Sequence, residues 1–167
     1  MAEMTVTQAL KRMSKLRGRF AEDRKRASEN VNHLGEETPA YRFDDCLQGT
    51  EATRVELLKL KTAVSLSNAK QTVDWDGKKE PLVWALAVLR EWAGDLKWLE
   101  GLPVKSQEKT FERSREFDGE KYVQVPTTHI CHLPMAKRDE RKRHLQDEYD
   151  QLNDLVTSLN NRTMIEV

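Results

Sequence analysis

The chain carries few of the features by which a sequence announces a chemistry. Two cysteines, Cys46 and Cys131, occur in 167 residues. That is too few for a disulfide framework, so reduced thiols are expected. No Cys-x-x-Cys pair is present to start a zinc site. There is no Gly-rich phosphate loop. Serine, histidine and aspartate all occur, but no strand–turn–helix with a nucleophile motif holds them. No apolar run approaches the ~20 residues needed to span a bilayer, and Met1-Ala-Glu-Met-Thr5 lacks the apolar segment of a signal peptide. A cytoplasmic protein, or one assembled into a particle made in the cytoplasm, is therefore expected. Lys+Arg and Asp+Glu are both 28, so net charge gives no global pull toward nucleic acid or membrane. No solenoid-length repeat or low-complexity tract is found.

What is present is charge and helical period. The charged fraction is 34% and the hydrophobic fraction 38%, a balance that suits amphipathic helices with a narrow buried stripe. The most regular stripe is on the last helix. Leu145, Tyr149, Leu152, Val156 and Leu159 are spaced 4, 3, 4, 3, the repeat of a seam facing a partner helix. Pro134 stands where a first-turn proline is tolerated. A helix from there to about Asn160 would run roughly 40 Å at ~1.5 Å per residue. So long a seam needs partners, and the earlier helices supply them.

Thr5 and Gln8 fit a capping box. Val6, Leu10, Met13, Phe20, Ala27, Val31 and Leu34 then form one seam, with Gly35 as the stop. Glu36 to Tyr41 reads as a connector, because Pro39 biases Thr38 away from helix. The second helix begins between Phe43 and Gly49 and runs to about Asn68. Leu57, Leu60 and Val64 make one stripe, and Val55, Leu58 and Thr62 an adjacent one, together a wide apolar face. Two stripes predict contact with two neighbours. Gly49 costs roughly 1 kcal/mol inside a helix, which makes a break there possible.

Thr72-Val-Asp-Trp75 followed by Asp76-Gly77 predicts a short extended piece entering a tight turn. Pro81 opens a third helix, with Leu82, Ala85, Leu89, Trp92, Leu96 and Leu99 on one seam. As the most hydrophobic helix, it is expected at the centre of the core. Phe111 to Phe117, then Asp118-Gly119, then Tyr122 to Val125 predict a β-hairpin over 110–126. Alone it would be marginal, so it should pair with Thr72–Trp75, lie on the bundle or bind a partner. Thr127 to Leu133 reads as a connector. The expected fold is mainly α: one domain, 1–167, an antiparallel bundle of four long helices with coiled-coil-like seams and a hairpin appendage between helices three and four.

The order of these features resembles the septicolysin-like family of bacterial helical proteins, a family of unknown function. Ser67-Asn68-Ala69, Asp76-Gly77, Leu82 to Leu89-Arg90, Arg113-Ser114-Arg115, and Asp147-Glu148-Tyr149-Asp150-Gln151-Leu152-Asn153 to Leu159-Asn160 carry the resemblance. The Thr127–Leu133 connector and the four tryptophans depart from it. The resemblance implies no catalytic residues, and no cofactor is expected.

Three clusters remain as candidate sites. His129, Cys131 and His132 are the one local group of soft metal ligands, and Cys46 or His33 could complete four only if the fold brought them near. An ordinary connector is the simpler reading. Asp44-Asp45 and Asp74/Asp76 are carboxylate pairs of the kind that hold a divalent cation or do acid–base work, but Asp44-Asp45 suits a helix N-terminus and Asp76-Gly77 suits a turn, so the structural reading is favoured for both. Basic residues gather at 11–26, including Arg24, Lys25 and Arg26, and at 137–143, including Arg141 and Lys142. They could straddle a phosphate backbone, which makes nucleic-acid binding the alternative function. The main expectation is a non-enzymatic structural or protein–protein interaction protein that forms a homo-oligomer, either a virion or other assembly component or an inhibitor of a host protein. Candidate interface residues are Phe111, Arg113, Arg115 and Phe117 on one face of the first hairpin strand, and Trp84 and Trp98 beside the third seam.

Overall fold

The computed structural model describes residues 3–32, 35, 39–105, 109–117, 119 and 121–167. Its elements run β1 (Glu3–Thr5), α1 (Val6–Glu29), α2 (Phe43–Lys70), β2 (Thr72–Trp75), β3 (Lys78–Pro81), α3 (Leu82–Gly101), β4 (Lys109–Phe117), β5 (Tyr122–Ile130), α4 (Met135–Arg162) and β6 (Met164–Glu166). The protein is thus mainly helical with small antiparallel strand pairs. The chain divides into two compact units, Met1–Leu86 with Asp154–Val167, and Ala87–Asn153. No helix among the described residues is long and apolar enough to cross a membrane.

In the first unit, α1 starts at the expected capping box. The Gln8 amide donates to Thr5 Oγ1 at 3.2 Å and the Thr5 amide to Gln8 Oε1 at 2.9 Å. The helix stops at Glu29 rather than Leu34. Asn30 ends it: its backbone amide donates to Arg26 and Ala27 carbonyls, and its side-chain amide donates to the Arg26 carbonyl at 2.7 Å. Asparagine saturates the last carbonyls here before glycine is reached. Leu34 lies outside the described residues. The seam also differs from the one expected. Ala9 is fully buried whereas Leu10 is 42% exposed, because α2 approaches closely and the core position goes to the small side chain. Val31 is exposed as well.

α2 runs unbroken through Gly49. α1 and α2 are antiparallel, since Arg12 pairs with Glu56 and Asp23 lies against Gly49. A Cβ at Gly49 would sit 3.3 Å from Asp23 Oδ2. The Asp23 carboxylate therefore occupies the room that a larger residue would take, and packing offsets the low helix propensity of glycine. Asp44 and Asp45 fall in the first turn, as the helix dipole favours.

Val6, Ala9, Met13, Leu57, Leu60, Val64 and Ile165 form one buried cluster, edged by Met4, Leu16, Phe20, Ala63 and Val167. None of these comes from α3, although its Leu82, Ala85, Leu89 and Leu99 are also buried. Ile165 enters through a strand pair not foreseen in the sequence: α4 continues to Arg162, then β6 pairs with β1 in the register Glu3↔Glu166, Met4↔Ile165, Thr5↔Met164. The Val6 amide adds a bond to the Thr163 carbonyl at 3.0 Å. Thr7 Oγ1 bonds Asn161 Oδ1 at 2.7 Å.

β2 does not pair with the longer hairpin. It pairs with β3 around Asp76 and Gly77, whose φ values of 48° and 73° are those of the two-residue turn that matches strand twist. The Leu82 amide then bonds the Gln71 carbonyl at 2.9 Å and launches α3.

In the second unit, Leu89, Leu99 and Leu152 are buried, while Trp92, Leu96, Leu145 and Tyr149 of the expected seams are half-buried. Lys142 of α4 reaches Glu100 of α3 at 3.2 Å. The Met135 amide bonds the Lys105 carbonyl at 3.0 Å. β4 and β5 pair from Lys109↔Ile130 to Phe117↔Tyr122, so the hairpin is longer than 110–126. Thr127 to Ile130, read as connector, is strand; β-branched threonines and isoleucine extend the ladder.

Two measurements test this packing. Leu60→Ala should lower unfolding free energy by about 2–5 kcal/mol, and Leu10→Ala by about 1 kcal/mol or less, as read by urea titration. Equal losses would refute the assignment of the α1 seam. In a double-mutant cycle, Gly49→Ala should be nearly neutral alone and stabilising by about 1 kcal/mol in an Asp23→Ala background. The same effect in both backgrounds would show that Asp23 does not shape this position.

Candidate interaction surfaces

Residues proposed from the sequence fall into three groups in the structure. Phe111, Arg113 and Arg115 lie on β4, opposite Thr128, Pro126 and Gln124 of β5. Phe117 ends β4 and meets Tyr122, with ring centroids 5.4 Å apart and planes tilted by 56°. Both rings are exposed, and the geometry is that of a tilted aromatic pair. Asp118 of the expected turn lies outside the described residues. On α3, Trp84 is half-buried and Trp98 is 62% exposed. Tyr122 was not singled out from the sequence; its place directly across from Phe117 in a hairpin was the signal that could have found it.

Of the soft-ligand candidates, Cys131, His132 and Cys46 have described side chains. Cys131 Sγ donates to the Leu133 carbonyl at 3.1 Å and receives the Lys105 amide at 3.5 Å, so its thiol is spent on backbone groups joining two loops. His132 is exposed. His33 lies outside the described residues. Cys46 is buried in α2. Among the described residues, no group of three His, Cys, Asp or Glu is placed to hold a metal ion.

The basic stretch on α1 is interleaved with carboxylates by the fold. Arg12 pairs with Glu56, Arg19 with Asp23 at 3.6 Å, Lys25 with Glu29 at 3.7 Å and Arg26 with Glu22. Arg24 and Arg26 also lie over the Phe20 and Tyr41 rings, at 5.2 and 4.5 Å. On α4, Arg138 pairs with Asp139 at 2.6 Å and Lys142 with Glu100; Arg141 is exposed. Surface pairs of this kind contribute little stability, but each reduces the positive potential that a phosphate backbone would meet.

The second stripe of α2 is open. Val55, Leu58 and Leu66 are 51%, 56% and 58% exposed. With Lys59, Thr62, Ala63, Glu166 and Val167 they line a groove of about 500 Å³. A smaller recess of about 260 Å³ between α1 and α2 includes Phe20, Arg24, Phe43, Leu47 and Arg54.

No protein-family model matches the chain, and no curated protein matches it. The fold is similar to that in the crystal structure of a functionally unknown conserved protein from Corynebacterium diphtheriae. The TM-score is 0.78 at 16% sequence identity, with 99% of this chain and 100% of that chain covered. At that identity the likeness shows the fold alone.

Because Trp98 packs so little of its ring, Trp98→Ala should shift the thermal midpoint by no more than about 2 °C, within the ±0.5 kcal/mol usual for surface changes. A drop of several degrees would assign the ring to the fold instead of to a contact surface.

Proposed function

We propose that this chain is a non-enzymatic structural or protein–protein interaction protein that self-associates. In this reading its four helices form an antiparallel bundle of the septicolysin-like kind, and the protein works in the cytoplasm or in a particle assembled there. The observation that carries the reading is the exposure of large apolar side chains on a surface otherwise rich in charge. Trp98, Phe117 and Tyr122 in one unit and Val55, Leu58 and Leu66 in the other all face water. Aromatic and aliphatic groups left so exposed are what protein interfaces bury. An assembly component and an inhibitor of another protein are both roles that such surfaces serve. The carboxylates threaded through the basic stretch of α1 support choosing a protein partner over nucleic acid.

Light scattering over about 1–100 µM, the range in which interfaces of modest area associate, tests the proposal. The expected mass is a multiple of 19.4 kDa that falls on dilution. A monomer throughout would overturn self-association. Salt-sensitive retardation of DNA or RNA, abolished by replacing Arg24, Lys25 and Arg26 with Gln, would favour the nucleic-acid alternative instead.

A further inference from the structure

α2 is apolar on two opposite faces. At 3.6 residues per turn, Val55, Leu58, Thr62 and Leu66 point roughly 170° away from Leu57, Leu60 and Val64. The second set is buried with α1 in the core cluster. The first set borders the 500 Å³ groove and is more than half exposed at Val55, Leu58 and Leu66. A helix apolar on both sides belongs between two neighbours, and among the described residues of its own unit α1 is one of them.

The charges at the groove say what the other neighbour is. Lys59 and Glu166 both line it, on the same flank of α2, and neither has an ion-pair partner among the described residues. A partner surface of one sign would leave one of the two facing its like. A surface with the same cation and carboxylate in reversed order satisfies both, and a second copy of this chain provides it. The order is reversed only if the two α2 helices run antiparallel. A twofold axis perpendicular to them keeps each flank opposite itself and inverts position along the helix, whereas a parallel pair would put the flanks on opposite sides.

We propose that α2 packs antiparallel against α2 of a second copy, about a twofold axis passing near Thr62, a contact that rests on the self-association proposed above. Leu58 of each copy then meets Leu66 of the other, and Lys59 of each faces Glu166 of the other. The small Thr62 side chain lets the helices approach at the crossing. The contact is isologous and closes as a dimer.

The full-length chain tests this by three readings. Wild type should be a dimer that dissociates on dilution. Leu58→Glu should raise the dissociation constant at least about tenfold, since each 1.4 kcal/mol lost is tenfold. Its circular dichroism and dilute thermal midpoint should stay unchanged, because the side chain is already exposed in the monomer. Lys59→Glu and Glu166→Lys should each weaken the dimer, and the double variant should restore it, because the pair is rebuilt with signs exchanged. Thr62→Cys should cross-link to its own copy under mild oxidation, with the wild-type chain as control for Cys46 and Cys131. A dimer that ignores Leu58→Glu, or charge reversals without rescue, would overturn this contact while leaving self-association standing. A wild-type monomer at about 100 µM would overturn both. Wild type failing to dimerise while a different protein protects the α2 face would replace the second copy with that partner.

Discussion

The burial of Ile165 with Val6, Ala9, Met13, Leu57, Leu60 and Val64 is the constraint on which the first unit depends. Two antiparallel helices alone cannot enclose a core, because each presents only one stripe to the other. The third wall comes from the far end of the chain, through the pairing of Met4 with Ile165. Closing so long a loop costs only ~0.6 kcal/mol more for each doubling of its length. Burying one aliphatic side chain is worth on the order of 1.5–3 kcal/mol. Summed over the whole loop the same rule gives roughly 4–5 kcal/mol, so the burial of Ile165 is joined by the strand bonds and by the partly buried Met4 and Val167 in offsetting closure. The strand pair fixes where that burial happens.

What could be seen in the sequence was whatever local chemistry controls. The Thr5–Gln8 box, the Asp76–Gly77 turn, the Leu57–Leu60–Val64 stripe and the helix from Leu82 to Gly101 each depend on a few neighbouring residues, and all are present. What could not be seen depends on distant ones. Gly49 continues a helix because Asp23 is packed against it, 26 positions away. Ala9 displaces Leu10 from the core because α2 lies close. β1 and β6 are three residues each and have no period of their own; only their pairing makes them strands. The candidate site follows the same division. The two apolar stripes of α2 were legible from spacing alone, whereas which of them would remain uncovered was set by the placement of α1. Trp98 was legible as lying off its seam, and its exposure followed.

Charge in this protein serves the surface of individual helices more than a shared field. Pairs such as Lys25–Glu29 and Arg26–Glu22 are one turn apart on a single helix, and they shield one another from anything at a distance. A basic count taken along the sequence therefore overstates the potential that a partner would feel. Apolar groups do not cancel in this way. An exposed aliphatic side chain stays unfavourably hydrated whatever surrounds it, which is why Val55, Leu58 and Leu66 on α2 carry more information about partners than eight basic residues on α1.

The pairing of β1 with β6 also sets how the molecule would respond to being pulled. Glu3 lies across from Glu166 at the outer end of an antiparallel pair. Tension applied on these two residues loads the hydrogen bonds one after another, as a zipper opens, instead of all at once in shear. Once three residue pairs have parted, Ile165 is drawn from the core and the first unit loses its third wall. A unit held together by its buried side chains would thus give way to a small force applied at Glu3 and Glu166.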